Sequence, residues 1–329
     1  MIYTKYNYLI NNISQILEEG RKKAIQSVNS ILIETYWNIG KHIVEYEQKG
    51  NEKADYGSNL LDKLSKDLKL KYKKGFSRRN ILDMRRFYNI YPNRQTVPAK
   101  LSWSHYVELL SVEDNLARSF YEKQSINEKW SIRELKRQKN SLLFERIALN
   151  KDEQEVLNLS EKGQVIEKAE DLVKDPYILE FLKLHKNSKY TEKQIEQKII
   201  NNLQMFLLEL GKGFTFVARQ KRIVINNDNF YIDLLFYNIY LNCYIIIELK
   251  TGKFKHEDIG QMNFYLNYVK KELNQERDNA PIGILLCKEK YNVQAEFTTS
   301  GMSNKMFVSK YQLYLPTKEE LEKEVNKIL

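Results

Sequence analysis

The chain has 329 residues, 42% hydrophobic and 29% charged. This composition supports one or two globular domains and argues against a disordered or membrane-embedded chain. The formal net charge is +10, and all of that excess lies in residues 1–150, where 27 Lys+Arg face 17 Asp+Glu; residues 151–329 carry 26 of each sign. No apolar run approaches the ~20 residues that span a bilayer, and the N-terminus lacks a signal-peptide pattern. Cys243 and Cys287 lie in separate apolar runs without CxxC spacing, and the histidines are scattered. Neither a disulfide framework nor a zinc or HNH-type centre is supported, and a cytoplasmic protein is expected.

The N-terminal part reads as helical. Apolar residues at helical spacing run through 7–34, a second helix covers 31–49 up to Gly50, and a third covers 57–70. A basic turn with Gly75 follows, and Ser77 has the side chain to cap a helix over 78–88. Helix, short glycine turn and basic helix have the shape of a helix-turn-helix, although any helical hairpin can produce it. Between residues 68 and 88 eight basic residues face one acid, Asp83. An isolated run of this kind is usually a solvated helix face. Its confinement to one half of the chain favours a polyanion-binding surface instead, with Lys73, Lys74, Arg78, Arg79 and Arg85 as its candidates. Ser131 is placed to cap another basic helix. The expected organisation is a helical basic domain over 1–150, a charged junction over 151–190 and a second domain over 191–329.

In that second domain, residues 190–213 read as one amphipathic helix, capped by Thr191 and stopped at Gly211. Strands are expected over 214–225, 229–237 and 243–250, with the Asn-rich segment 226–229 as a hairpin turn. A helix over 257–274, a buried strand over 281–287 and a final helix after Pro316 complete the pattern. The fold class is α/β, an αβββαβ core around a mixed sheet.

The chemistry concentrates in NFYIDLLFYNIYLNCYIIIELKTG, residues 229–252. Alternate residues of a strand share a face, so Glu248 and Lys250 project together. A carboxylate among Tyr, Ile, Leu and Phe is costly unless its charge is offset. A metal ion offsets Asp233 and Glu248 at once. Two acids and a lysine on adjacent strands point to metal-dependent phosphodiester hydrolysis.

These blocks resemble the PD-(D/E)xK nuclease superfamily, specifically its YhcG-like family. The carrying segments are LELGKGFTFVARQKRIVI, NFYIDLLFYNIYLNCYIIIELKTGKF, EDIGQMNFYLNYV and PIGILLC, with YWNIGKHIVEYEQKG, LSWSHY and WSIRELKRQ in the N-terminal half. The E-x-K motif alone is common; the acid strand before it and GQMNFYL after it make the pattern specific. Ile232 stands where the superfamily name has proline.

The resemblance implies a restriction-endonuclease-like core acting as a Mg²⁺- or Mn²⁺-dependent nuclease, with DNA preferred over RNA. Asp233 and Glu248 would be metal ligands with the Leu249 carbonyl, hard oxygen donors suited to these ions. Lys250 would activate water and stabilise the transition state. Gln261 would hold water, lysine or phosphate, and Glu196 would be the acid of the preceding helix, unless it simply faces solvent. Arg219 and Lys221 either hold phosphate or form structural ion pairs. Tyr231, Phe264 and Tyr265 read as core. The rival function is a non-catalytic nucleic-acid-binding or assembly protein that keeps the fold. Cutting both strands needs two centres or sequential nicking, and one chain carries one Asp233–Glu248–Lys250 set, so a homo-oligomer, at least a dimer, is expected.

Overall fold

The computed structural model describes residues 2–49, 55–98, 100–149, 151–185, 189–289, 304–317 and 320. The expected helix after Pro316 lies largely outside them. The chain forms two compact units, Met1–Lys136 and Arg137–Leu329.

The first unit is helical. It contains α1 (Ile2–Lys49), α2 (Asp55–Tyr72), α3 (Arg78–Ile90), α4 (Trp103–Leu109), α5 (Asn115–Asn127) and the start of α6 (Ile132–Asn140). The two helices expected over 7–49 are one continuous helix, because the apolar spacing carries through Gly20 and Gly40 without a cap. Gly40 is required by packing: a Cβ there would stand 2.1 Å from the Met84 carbonyl oxygen on α3. Around that point Ile33, Trp37, Ile81, Met84 and Phe87 are buried. Ser77 caps α3 by accepting the Asn80 N–H at 3.2 Å. Ser131 and Glu134 form a reciprocal cap on α6.

The second unit continues with α7 (Leu143–Ala148), α8 (Glu153–Lys162), β1 (Tyr177–Ile178), α9 (Glu192–Asn201) and α10 (Leu203–Leu210). Strands β2 (Phe214–Ile225), β3 (Asp228–Asn238) and β4 (Cys243–Lys253) follow, then α11 (His256–Glu272), β5 (Ile282–Glu289) and β6 (Met306–Gln312). Residues 151–190, expected as a junction, supply β1, whose Tyr177, Ile178 and neighbouring Leu179 are buried. The single helix expected over 190–213 is broken at Asn202, where φ is −125°. Thr191 caps α9 as expected, and α10 stops at Gly211, with φ at +103°.

The sheet order is β1-β6-β5-β4-β3-β2. Strands β2, β3 and β4 form an antiparallel meander, while β4–β5, β5–β6 and β1–β6 pair in parallel. The sheet is mixed, and the αβββαβ core is present. Asn226 and Asn227 both adopt positive φ in the two-residue β2–β3 turn, as a type I′ hairpin requires. Alternation along β4 feeds two cores. Ile245, Ile247 and Leu249 pack with Ile195, Ile199 and Phe206 of α9 and α10, while Ile246 packs with Ile259, Met262 and Leu266 of α11. Glu248 and Lys250 share the parity of Ile246, on the α11 face.

Candidate active site

The β3–β4 ladder runs from Asn238↔Cys243 to Leu234↔Ile247. Beyond it, side chains replace main-chain acceptors. The Asp233 N–H donates to Glu248 Oε1 at 2.9 Å, and the Leu249 N–H donates to Asp233 Oδ2 at 3.0 Å. Each acid thereby satisfies a backbone donor that the parting strands leave without a ladder partner. Glu248 is 3% exposed and Asp233 half-buried.

Glu196 of α9, also 3% exposed, joins them through Gln220. The Gln220 amide donates to Glu196 Oε2 at 2.7 Å and to Asp233 Oδ1 at 2.9 Å. Arg219 pairs with Glu196 through Nε and donates to Gln197 Oε1 at 2.8 Å. Of its two expected roles, Arg219 thus occupies the ion pair. Gln220 lies between the β2–β3 partners Arg219↔Leu234 and Lys221↔Ile232 with φ at +46°. A non-glycine residue there costs roughly 1–3 kcal/mol and persists only where its surroundings fix it.

Lys250 pairs with Asp258 at 3.2 Å, and Asp258 also accepts the Lys255 N–H at 2.7 Å at the start of α11. Glu192 accepts the Thr251 N–H at 3.2 Å. Gln261 is exposed and donates to the Tyr265 hydroxyl at 2.7 Å, which in turn donates to the Tyr231 carbonyl at 2.8 Å. Gln261 therefore has no direct hydrogen bond to the acids. Tyr265 is core, as expected, but Tyr231 is 45% exposed, a correction to its core assignment. Its side chain is partly open to solvent while its carbonyl accepts from the Tyr265 hydroxyl.

The electrostatics are those of a site short of positive charge. Burial pushes the Glu248 carboxyl well above the ordinary range, and the Asp233 charge pushes it further. Burial also raises Asp233, with Glu196 adding and the Leu249 N–H offsetting part. Burial would lower the Lys250 ammonium, but Asp258, with Glu192 and Glu248 behind it, raises it. The lysine charge is thus partly committed to Asp258.

The donor set is carboxylate oxygen. Among the described residues no three His, Cys, Asp or Glu side chains form a ready cage for one ion. Two carboxylates, with waters and a phosphate completing the shell, are nevertheless how Mg²⁺ is usually held. Glu248, buried, and Asp233, half-buried beside it, each with its carboxyl raised, fit that role. In the first unit, Lys73, Lys74 and Arg79 are exposed, while Arg78 pairs with Asp62 at 3.0 Å and Arg85 with Glu47 at 2.8 Å.

A mixed αβββαβ sheet with an acid on β3 and Glu-x-Lys on β4 defines the PDDEXK nuclease class. The chain belongs to the YhcG family within it: residues 170–326 match the YhcG PDDEXK nuclease domain and residues 12–146 the DUF1016 N-terminal domain. It is similar to "Putative nuclease YhcG" of Escherichia coli (strain K12), 37% identical over 352 residues, covering 97% of this chain and 93% of the relative. Two solved structures also overlap 40% of the chain. A repair endonuclease from Pyrococcus abyssi is 17% identical over 50% of its length, and EndoMS in apo form is 15% identical over 49%, each with a TM-score of 0.26. The match spans about half the length of those structures. Among the described residues no helix is long and apolar enough to cross a membrane.

Sequence reasoning missed Gln220, Glu192 and Asp258. Asp258 carried a signal, an acid in the first turn of a helix that follows the lysine strand. Gln220 carried none, because its bridging depends on a backbone conformation the sequence does not announce.

Proposed function

We propose that the protein is a Mg²⁺- or Mn²⁺-dependent nuclease that hydrolyses phosphodiester bonds in DNA. The observation that carries this reading is the Asp233–Glu248 pair, in which Glu248 accepts the Asp233 N–H and Asp233 accepts the Leu249 N–H, with too little positive charge around them. A divalent ion bound there supplies Lewis acidity at the phosphate and at a water ligand; nucleases of this fold use such ions. Asp233 and Glu248 would hold the ion, with the Leu249 carbonyl as a further oxygen donor. Lys250, freed from Asp258 or shared with it, orients the attacking water and stabilises charge developing on the phosphate oxygens. Gln220 fixes Asp233 relative to Glu196, and Gln261, on the exposed start of α11, binds water or phosphate. Lys221, with Arg219 where its ion pair yields, lines the approach of the backbone. The buried cysteines, which form no disulfide with each other, suit a reducing cytoplasm.

The N-terminal domain, through Lys73, Lys74, Arg78 and Arg79, binds duplex phosphates. Neutralising all four should weaken DNA binding and flatten its salt dependence by about one slope unit for each phosphate left without its cation. Unchanged anisotropy titrations at two salt concentrations would remove this role.

The test of activity is nicking or linearisation of plasmid DNA by the full chain with Mg²⁺ and with chelator. Asp233→Asn and Glu248→Gln should each reduce cleavage at least ~100-fold while the far-ultraviolet circular dichroism is unchanged. Wild-type rates in either variant would rule out this centre.

A further inference from the structure

The first part of α1 shows an apolar seam that the other described residues do not cover. Residues 6–28 are all exposed, and α1 enters its unit's core only from Ile33 onward. Eleven large apolar side chains between Tyr6 and Leu32 are exposed, including Leu17 at 57% and Ile31 at 63%. A projecting helix of this kind gains little from propensity alone; helices in proteins are stabilised mainly by packing an apolar face.

We propose that this seam pairs with the same seam of a second copy, in antiparallel orientation, to make a homodimer. Ile10, Ile13, Leu17, Gly20, Ala24 and Ser27 recur at alternating spacings of three and four, the a and d positions of a heptad. The sequence places the large residues in the first half and the small ones in the second. An antiparallel pair centred between Glu18 and Glu19 sets Ile10 against Ser27, Ile13 against Ala24 and Leu17 against Gly20. Each of these layers then holds one large and one small residue, and the helices stay evenly spaced along them. A parallel pair would stack large on large at one end and small on small at the other, leaving voids around Gly20 and Ser27.

Gly20 is the second observation. A glycine inside a helix costs about 1 kcal/mol relative to alanine. Yet a Cβ at Gly20 would meet nothing within 4 Å among the described residues. Nothing among them calls for glycine there; a partner's Leu17 lying across that position does. The area is also sufficient. At about 100 Å² for each large side chain, eight of the exposed residues supply the roughly 800 Å² that one partner gives to a standard stable interface. The dimer carries two Asp233–Glu248 pairs, enough to cut both strands without sequential nicking by one centre. The surface itself is inferred independently of that chemistry.

The test is the mass of the full chain by light scattering on a sizing column at micromolar concentration. The wild type should run at twice 39.3 kDa, and an Ile13→Glu, Leu17→Glu double variant at the single-chain mass. Both substitutions fall on exposed positions, and an unchanged near-ultraviolet spectrum would verify the fold. Orientation is read by oxidation of an Ile10→Cys, Ser27→Cys variant, since Cys243 and Cys287 are buried. The pair should give a covalent dimer, and Ile10→Cys alone should not, because its two copies would lie about 25 Å apart. A monomeric wild type, a double-Glu variant that stays dimeric, or efficient cross-linking of Ile10→Cys alone would each overturn the proposal. A monomeric wild type would leave the seam to a different protein.

Discussion

The second unit buries two groups of carboxylates and treats them in opposite ways. Glu209, at the end of α10, is fully buried but surrounded by cations. Arg146 Nη1 donates to it at 2.6 Å and Arg137 Nη2 at 3.2 Å, the Ile178 N–H at 2.9 Å completes its shell, and Lys174 donates to its backbone carbonyl. Burial would raise Glu209, but Arg146, Lys174 and Arg137 outweigh it and hold the carboxyl down at about 2. Glu248 is equally hidden, yet its near neighbour is another acid, and its carboxyl goes up. In one cluster the cations outweigh the burial of the acid. The other has Lys250 nearby but too little positive charge to hold its carboxyls down, and that deficit is what the proposed cation site rests on.

Breaking the balanced cluster should have the largest effect. Arg146→Met leaves Glu209 buried and undercompensated, which typically costs about 3–5 kcal/mol. The thermal midpoint should drop by about 2–4 °C for each kcal/mol in a protein of this size. A drop under ~2 °C would mean that Glu209 is not a structural keystone.

The unbalanced cluster should respond in the opposite direction. A carboxyl whose folded pKa is raised keeps its proton more tightly in the folded state. Its contribution is therefore most favourable below the ordinary carboxylate range and is lost as pH rises through the raised value. At neutral pH Glu248→Gln should raise the thermal midpoint of the metal-free protein by a few degrees, with the advantage shrinking as pH falls. Lower stability of that variant at neutral pH would contradict the charge deficit.

Lys174 gives a smaller, slope-based test of the balanced side. Burial pulls its ammonium down to about 7 from the ordinary 10.5, against the attraction of Glu209. The unfolded chain therefore binds an extra proton between those values, and stability should rise with pH across that window. Lys174→Met should lack this component of the slope. Identical pH profiles for the two proteins would show that Lys174 is not buried as described. The mildest perturbation is Asp258→Asn, which releases Lys250 from its ion pair. It should change cleavage only several-fold and leave divalent-ion affinity within about threefold of wild type. A complete loss of ion binding would instead make Asp258 part of the acceptor set.

The sequence made Asp233, Glu248 and Lys250 legible because strand alternation is strict, and an acid stands out in a run of Ile, Leu and Tyr. The β2–β3 hairpin was legible for a similar reason, since Asn226 and Asn227 tolerate positive φ. The partners of those acids were not. Glu192, Gln220 and Asp258 reach the site from three different elements, and pairings between elements leave no local periodic trace. The keystone role of Glu209 was hidden too, because Arg137, Arg146 and Lys174 come from segments that local pattern assigned to a helical domain and a junction. Continuous α1 and the break at Asn202 were misread because apolar spacing alone marks neither a missing cap nor a kink.

The most direct measurement is calorimetric titration of Mn²⁺ into the full-length wild type and the Glu248→Gln variant at neutral pH, repeated in buffers of different ionisation enthalpy. A charge-deficient acid pair should bind the ion in the wild type with release of protons, because the raised carboxyls must ionise to ligate, and the variant should bind at least ~10-fold more weakly. Equal affinity in the two proteins, or no binding to the wild type, would contradict the assignment of Asp233 and Glu248 as a metal site.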